Sequence, residues 1–265
     1  MEREKISCTG YIIGGLKMKG VIDNEYKIIE ELLESSSSDW SIGVGKVVLL
    51  LAKHYYSLEG RETSREVIFN HINNFIKERV DKYSPKKWSD LINNVIDTVI
   101  KNEWYEPIKV DKIEITRKEW ERIIELDDNK LERVAFIILC YVKLYKARRS
   151  SKDRVDDLNY VLKEASCRGV TKDKLLIADL RDKGYVQIGN LKHMYVKPLY
   201  IYEDSEPYII IDNFDKVITY YDEYRNNVKY RECTQCGKRI KTTNNRKKYC
   251  SACAKIEKNK KTLKK

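Results

Sequence analysis

A mainly helical α+β chain in three parts is predicted by three observations. Apolar residues recur at helical spacing through most of 1–146. Two helical stretches and a hairpin pattern follow one another over 156–201. Two Cys-x-x-Cys pairs then stand near the C-terminus, at Cys233, Cys236, Cys250 and Cys253. The expected organisation is a helical domain at 1–126, a helix–helix–hairpin domain with a terminal helix at 127–226, and a small four-cysteine module at 227–265.

Residues 1–20 show little periodicity, and Gly14 with Gly15 marks a break. A helix starts near Asp23, with Ile28, Ile29, Leu32 and Leu33 on one face, and stops at the four serines of 35–38. The next helix covers about 47–56. Thr63 and Glu66 have the spacing of a capping box, in which hydroxyl and carboxylate each satisfy the other residue's amide, so a third helix opens there. Its apolar face is Val67, Ile68, Ile72, Phe75 and Ile76. Pro85 suits the first position of a fourth helix, where its missing N–H costs nothing, and Trp88, Ile92, Ile96 and Val99 continue the stripe. An extended stretch passes Pro107 and Val110. Thr116 and Glu119 make a second capping box, leading to Trp120, Ile123 and Ile124. The helix of 129–146 is apolar all round from Val134 to Tyr145, which implies burial against several neighbours.

The pattern then changes. A helix at 156–165 turns Leu158, Val161 and Leu162 inward and breaks at Arg168-Gly169. Thr171 caps a helix over 172–183 whose Leu175, Leu176 and Leu180 face the core, and Gly184 ends it at the position that favours positive φ. A hairpin follows, from 185–188 through a Gly189-Asn190 turn to 194–201. A strand at 208–212, a helix from Val217 to about Tyr224 capped by Asp212 or Asn213, and a polar link over 225–231 complete this part. The order resembles a winged helix, with Leu176, Leu180, Gly184 and Val186 matching that family's exit from recognition helix to wing. The resemblance implies a second helix that enters the DNA major groove, with Lys172, Lys174 and Arg181 toward phosphates or base edges. Ten basic and five acidic side chains over 143–174 give that region a local basic bias.

The cysteine pairs carry the sharpest chemistry. Each pair offers two thiolates to one ion, and the thirteen residues between them can fold back, so the spacing predicts one structural tetrahedral Zn²⁺ site. Gly237 after the second Cys allows a knuckle turn. A strand at 240–243, a turn at Asn244-Asn245, a returning strand at 246–249 and a helix from Cys250 onward resemble a treble-clef finger, with Ile240, Tyr249 and Ile256 as its small core. Four sulfurs leave no open coordination position, so the metal is read as non-catalytic.

Charge concentrates in the same module. Residues 231–265 hold thirteen Lys or Arg against two acids, a net +11 equal to the formal charge of the whole chain, while the other 230 residues hold 39 of each sign. Zinc bound by four thiolates would lower the module to about +9 and leave the conclusion intact. A metal-stapled basic module points to a polyanion, with duplex DNA the expected partner. The candidate contacts there are Lys238, Arg239, Lys241, Arg246, Lys247, Lys248, Lys255 and Lys258.

Other classes are disfavoured. A charged fraction of 35 % and mean hydropathy of −0.59 do not suit a membrane protein, and no apolar run nears the ~20 residues of a spanning helix. Met1 is followed at once by charge, without a secretory pattern, so a reducing cytoplasmic setting without disulfides is expected. Cys140 sits in an apolar run and reads as core filler, Cys8 and Cys167 lack partner spacing, and His54, His71 and His193 are scattered. Gly45-Lys46 lacks both the earlier glycine and the following Ser or Thr of a phosphate-binding loop. The acidic pairs Asp127-Asp128, Asp156-Asp157 and Asp222-Glu223 stand at helix ends or surfaces, where capping is the expected role. No catalytic pattern emerges, and no enzyme is expected.

The overall plan is similar to that of uncharacterised proteins of phages and mobile elements in AT-rich bacteria, which join a winged-helix-like middle to a Cys-x-x-Cys-Gly-Lys finger and a Lys-rich helix. The resemblance implies replication initiation or transcription control. An adaptor docking on host replication or transcription machinery, or an RNA-binding protein with Tyr249 as a stacking surface, are the alternatives.

Overall fold

The computed structural model describes residues 17–18, 21–22, 24–36, 40, 42–148, 152–167, 170–189, 195–242 and 247–262. Two compact units divide the described chain, 24–109 in one and 110–262 with the short β1 (Lys17–Met18) and β2 (Val21–Ile22) pair in the other.

The first unit is a helical bundle of α1 (Glu25–Glu34), α2 (Val44–Glu59), α3 (Arg65–Arg79) and α4 (Pro85–Lys101). Ile29, Leu32, Leu51, Ile72, Ile76, Ile92 and Ile96 meet in its core. α2 runs longer than the pattern over 47–56, and Leu33 is exposed. Pro85 opens α4 as expected. Ser64, not Thr63, caps α3: its Oγ accepts from Val67 N–H, whereas the Thr63 hydroxyl donates to the Glu59 carbonyl at 2.8 Å. Either hydroxyl can cap, and the preceding helix end claims the first. Glu25 is fully buried but paired, accepting from Lys53 Nζ at 2.8 Å and from Ile108 N–H at 3.1 Å.

The second unit is organised on α6 (Asn129–Ala147), buried on nearly every side from Leu131 to Leu144. Such side chains contribute about 1.5–3 kcal/mol each on leaving water. Before α6 come β3 (Ile113–Thr116) and α5 (Arg117–Ile124). Thr116 Oγ1 accepts from Glu119 N–H, and Glu119 Oε2 accepts from Thr116 N–H at 2.8 Å, so the second capping box forms. After α6 come α7 (Leu158–Glu164) and α8 (Val170–Asp182). Antiparallel β4 (Val186–Ile188) and β5 (Val196–Pro198) follow, and then β6 (Pro207–Ile211) and α9 (Ile218–Asn226). β6 pairs antiparallel with β3, Ile113 opposite Ile211. β7 (Tyr230–Glu232), β8 (Arg239–Lys241) and α10 (Ser251–Thr262) complete the chain.

Several expectations shift. α8 begins at Val170, so Thr171 lies inside the helix and not ahead of it. Its inward side is Asp173, Ile177 and Leu180, while Leu175 is 69 % exposed. Gly184 does end the helix, at φ +76°, with Tyr185 N–H reaching back to the Leu180 carbonyl. The breaks at Arg168-Gly169 and Asn190 lie outside the described residues. α9 is not capped by Asp212 or Asn213, because both side chains bond elsewhere. Four of the ten basic side chains of 143–174 are engaged in ion pairs: Lys143 with buried Glu119, Lys146 with Glu203, and Lys152 and Arg154 with Asp156.

Candidate metal centre

Two short pieces of chain build the centre. β7 and β8 are the arms of a hairpin whose turn holds Cys233 and Cys236; Cys250 stands at the entrance to α10, and Cys253 lies in its first turn. The turn needs glycine for conformation and not for space: Gly237 has φ +71°, and a Cβ there would meet nothing within 4 Å. Gly237 N–H donates to the Cys233 carbonyl at 2.9 Å, and Cys233 N–H to the Lys238 carbonyl at 2.8 Å. Ile240 and three of the cysteines form the module's buried cluster, while Cys236 is exposed.

All four sulfurs lie within 4.8 Å of one another, and Cys236 Sγ is 3.7 Å from Cys250 Sγ. Sulfurs about 2.3 Å from one central ion would stand about 3.8 Å apart along a tetrahedral edge. The cysteines are free thiols, positioned to hold a metal ion. The backbone turns toward them: Cys250 N–H donates to Cys233 Sγ at 3.3 Å, and Cys253 N–H to Cys250 Sγ at 3.4 Å. The latter bond makes Cys250 the cap of α10, where the helix dipole favours a thiolate. Burial opposes ionisation of Cys233, but the N–H groups of Cys250, Gln235 and Cys236 outweigh it and bring the thiol to about 6. The Cys253 N–H lowers Cys250 likewise. Burial and the neighbouring sulfurs raise Cys253 to about 12; Cys236 is raised too, the Lys238 N–H being outweighed by burial and Cys233. An arriving cation displaces the protons these thiols retain.

The sequence reading missed how this module is joined to the rest of its unit. Arg239 is 12 % exposed, ion-pairs with Glu223 on α9, and lays its guanidinium 3.7 Å from the ring centre of Tyr220 and 5.7 Å from that of Tyr230. Asn213, 6 % exposed, donates through Nδ2 to Glu232 Oε1 and to the Gly237 carbonyl, both at 2.9 Å. The Tyr220 hydroxyl donates to Asp212 Oδ1 and accepts the N–H groups of Asp212 and Asn213, which fixes the turn presenting that amide. Asp222 pairs with Arg133, and Arg225 forks onto buried Glu132 at 2.9 and 3.1 Å. Residues 225–231 are therefore no loose link, and Asp222 and Glu223 are ion-pair partners and not helix-end caps. The finger's ladder begins at Tyr230, ahead of its first cysteine, and β8 pairs backward with β7, while 247–249, the described part of the expected returning strand, forms none. Asn244-Asn245 and Arg246 lie outside the described residues. Tyr249 and Ile256 are exposed and not core: Tyr249 precedes α10 and Ile256 lies on it, and both stand outside the small cluster that Ile240 closes with three cysteines.

The basic residues expected to touch nucleic acid separate into groups. Arg239 is committed to the joint, and Lys238 lies 3.9 Å from Asp215. Lys241, Lys247, Lys248 and Lys255 are exposed, without a carboxylate partner among the described residues; Lys258 is exposed as well. Arg181 is exposed and pairs with adjacent Asp182 at 2.7 Å. The side chains of Lys172 and Lys174 lie outside the described residues. Beside α8, a cavity of about 620 Å³ is lined by Leu158, Leu162, Ile177, Ala178 and Ile188, with Asp156 and Asp157 among its walls. Among the described residues no helix is long and apolar enough to cross a membrane. No family model, curated protein or solved structure matches the chain.

Proposed function

We propose that the chain is a zinc-containing nucleic-acid-binding protein acting in replication or transcription control of a phage or mobile element. The observation that carries this reading is the coincidence of a four-sulfur cluster with the segment that holds the chain's whole positive excess. All-sulfur tetrahedral donors suit Zn²⁺, and with no fourth position left for water the metal is structural. A hairpin knuckle followed by a ligand pair at a helix start is the treble-clef arrangement. In the middle of the second unit, α6, α7, α8 and the β4–β5 hairpin follow the winged-helix order. An isolated antiparallel bridge pairs Val155 with Val196 on the open side of β5, in keeping with that reading. Duplex DNA is its expected partner.

The adaptor reading has its own support: Leu175 stands exposed on α8, and the same helix walls a mainly apolar cavity through Ile177 and Ala178, features suited to protein. Native mass spectrometry gives the metal content, and fluorescence anisotropy with duplex DNA, single strands and RNA, at low and raised salt, gives the partner. One zinc per chain and salt-sensitive binding are expected. A metal-loaded chain with no affinity for any nucleic acid would refute this reading in favour of the adaptor.

A further inference from the structure

We infer that the finger carries a single-strand platform, on which Tyr249 stacks an unpaired base while Lys229, Lys241, Lys247 and Lys248 hold the flanking phosphates. This rests on the nucleic-acid reading and names the form of nucleic acid the finger takes. The joint decides which face of the finger is active. Arg239 and Lys238 turn toward Glu223 and Asp215, so that side is neutralised. Four of the other cations lie where the open end of the hairpin meets the segment before α10. Thr242 N–H and Oγ1 both donate to the Lys229 carbonyl at 3.0 Å, and Lys247 Nζ donates to the Lys241 carbonyl at 3.2 Å. Lys229, Lys241, Lys247 and Lys248 are exposed, and none has a carboxylate partner among the described residues.

Tyr249 follows directly on Lys247 and Lys248 and is 37 % exposed. The segment bearing it belongs to no sheet. It is held by Thr234, whose N–H and Oγ1 donate to the Lys248 carbonyl at 3.1 and 3.3 Å, and it ends on Cys250. An exposed ring next in sequence to two cations without carboxylate partners, on a braced segment of chain, has a use for a nucleic acid whose bases are free. A duplex hides its base faces and would leave the ring idle, whereas a single strand offers base stacking together with phosphate contact.

Anisotropy of the full-length, metal-loaded chain against a labelled single-stranded DNA, the same sequence as RNA, and the corresponding duplex separates the outcomes. Tyr249→Ala should weaken single-strand binding on the order of tenfold or more and change duplex binding less than about twofold, while Tyr249→Phe binds as the parent. The DNA and RNA arms show which sugar the platform accepts. Lys247→Ala with Lys248→Ala should flatten the logarithmic salt dependence on single strands by about 1.4, for two phosphate contacts. Should Tyr249→Ala lose its metal, Tyr249→Leu keeps the bulk without the aromatic face and makes the same comparison. Unchanged single-strand binding in the ring-less variant, or an equal loss on duplex, overturns the platform and leaves nucleic-acid binding standing. Parent protein that binds no nucleic acid, or only an acidic peptide, overturns both.

Discussion

Replacing Arg239 by Ala should loosen the finger from its unit without unfolding that unit. The guanidinium is 12 % exposed and Glu223 is 38 % exposed, so the pair lies between two regimes. Breaking a fully buried pair costs about 3–5 kcal/mol, and an exposed pair contributes about 1 kcal/mol or less. A half-solvated Glu223 recovers water once its partner is gone, which sets the ionic loss near ~2 kcal/mol. The stack on Tyr220, at 3.7 Å, adds about 1 kcal/mol. Together these correspond to an opening equilibrium raised about a hundredfold, since about 1.4 kcal/mol is a factor of ten. Asn213 still bridges Glu232 and Gly237, so docking is weakened and not abolished. Amide hydrogen exchange should therefore speed by about two orders of magnitude in β7 and β8 while α6 keeps its protection. Arg239→Lys, which keeps the charge but not the planar stack, should fall between. Unchanged exchange in β7 and β8, with nucleic-acid binding lost, would refute the joint and return Arg239 to the role of a contact residue.

Gly237→Ala should retain the fold but weaken the metal site about tenfold, because the substituted residue keeps φ at +71° at a cost of about 1–2 kcal/mol with no steric clash; competition with a chromogenic chelator reads this directly. Glu164 has its carboxyl raised by burial, against the N–H groups of Ile218 and Val217, so the folded chain holds its proton more tightly than the unfolded chain does. Its contribution is full below the unfolded value and is lost as pH rises through the folded one. Glu164→Gln should thus raise Tm at neutral pH and gain less at acidic pH; a gain that grows with acidity would contradict the sign.

What could be read in advance was whatever one stretch of chain decides by itself. The all-round apolar run predicts the burial of α6, Thr116 and Glu119 satisfy each other within one turn, and paired cysteines carry their own ligand spacing. Other features depend on partners distant in sequence. In α8, Leu175, Leu176, Ile177 and Leu180 offer more apolar residues than one face can bury; tertiary packing chooses Ile177 and Leu180 and leaves Leu175 in solvent. The joint needs Asn213, Tyr220 and Glu223 to meet Arg239, and none of these carries a motif. Residues 225–231 read as a linker because their polarity was visible and their partners Glu132 and Asp222 were not.

The pairing of β3 with β6 imposes an order on the birth of the protein. Helices α1 to α4 touch mainly near neighbours in sequence and can pack as soon as residue 109 has left the ribosome. β3 emerges soon afterward but must wait until residues 207–211 have been made before its edge is covered. During that interval Ile113 and Ile115, both buried in the finished unit, stay exposed to solvent and to chaperones. The cysteines follow only after β6, so metal capture comes after the edge of β3 can be covered, when the surface that receives the finger can already be in place.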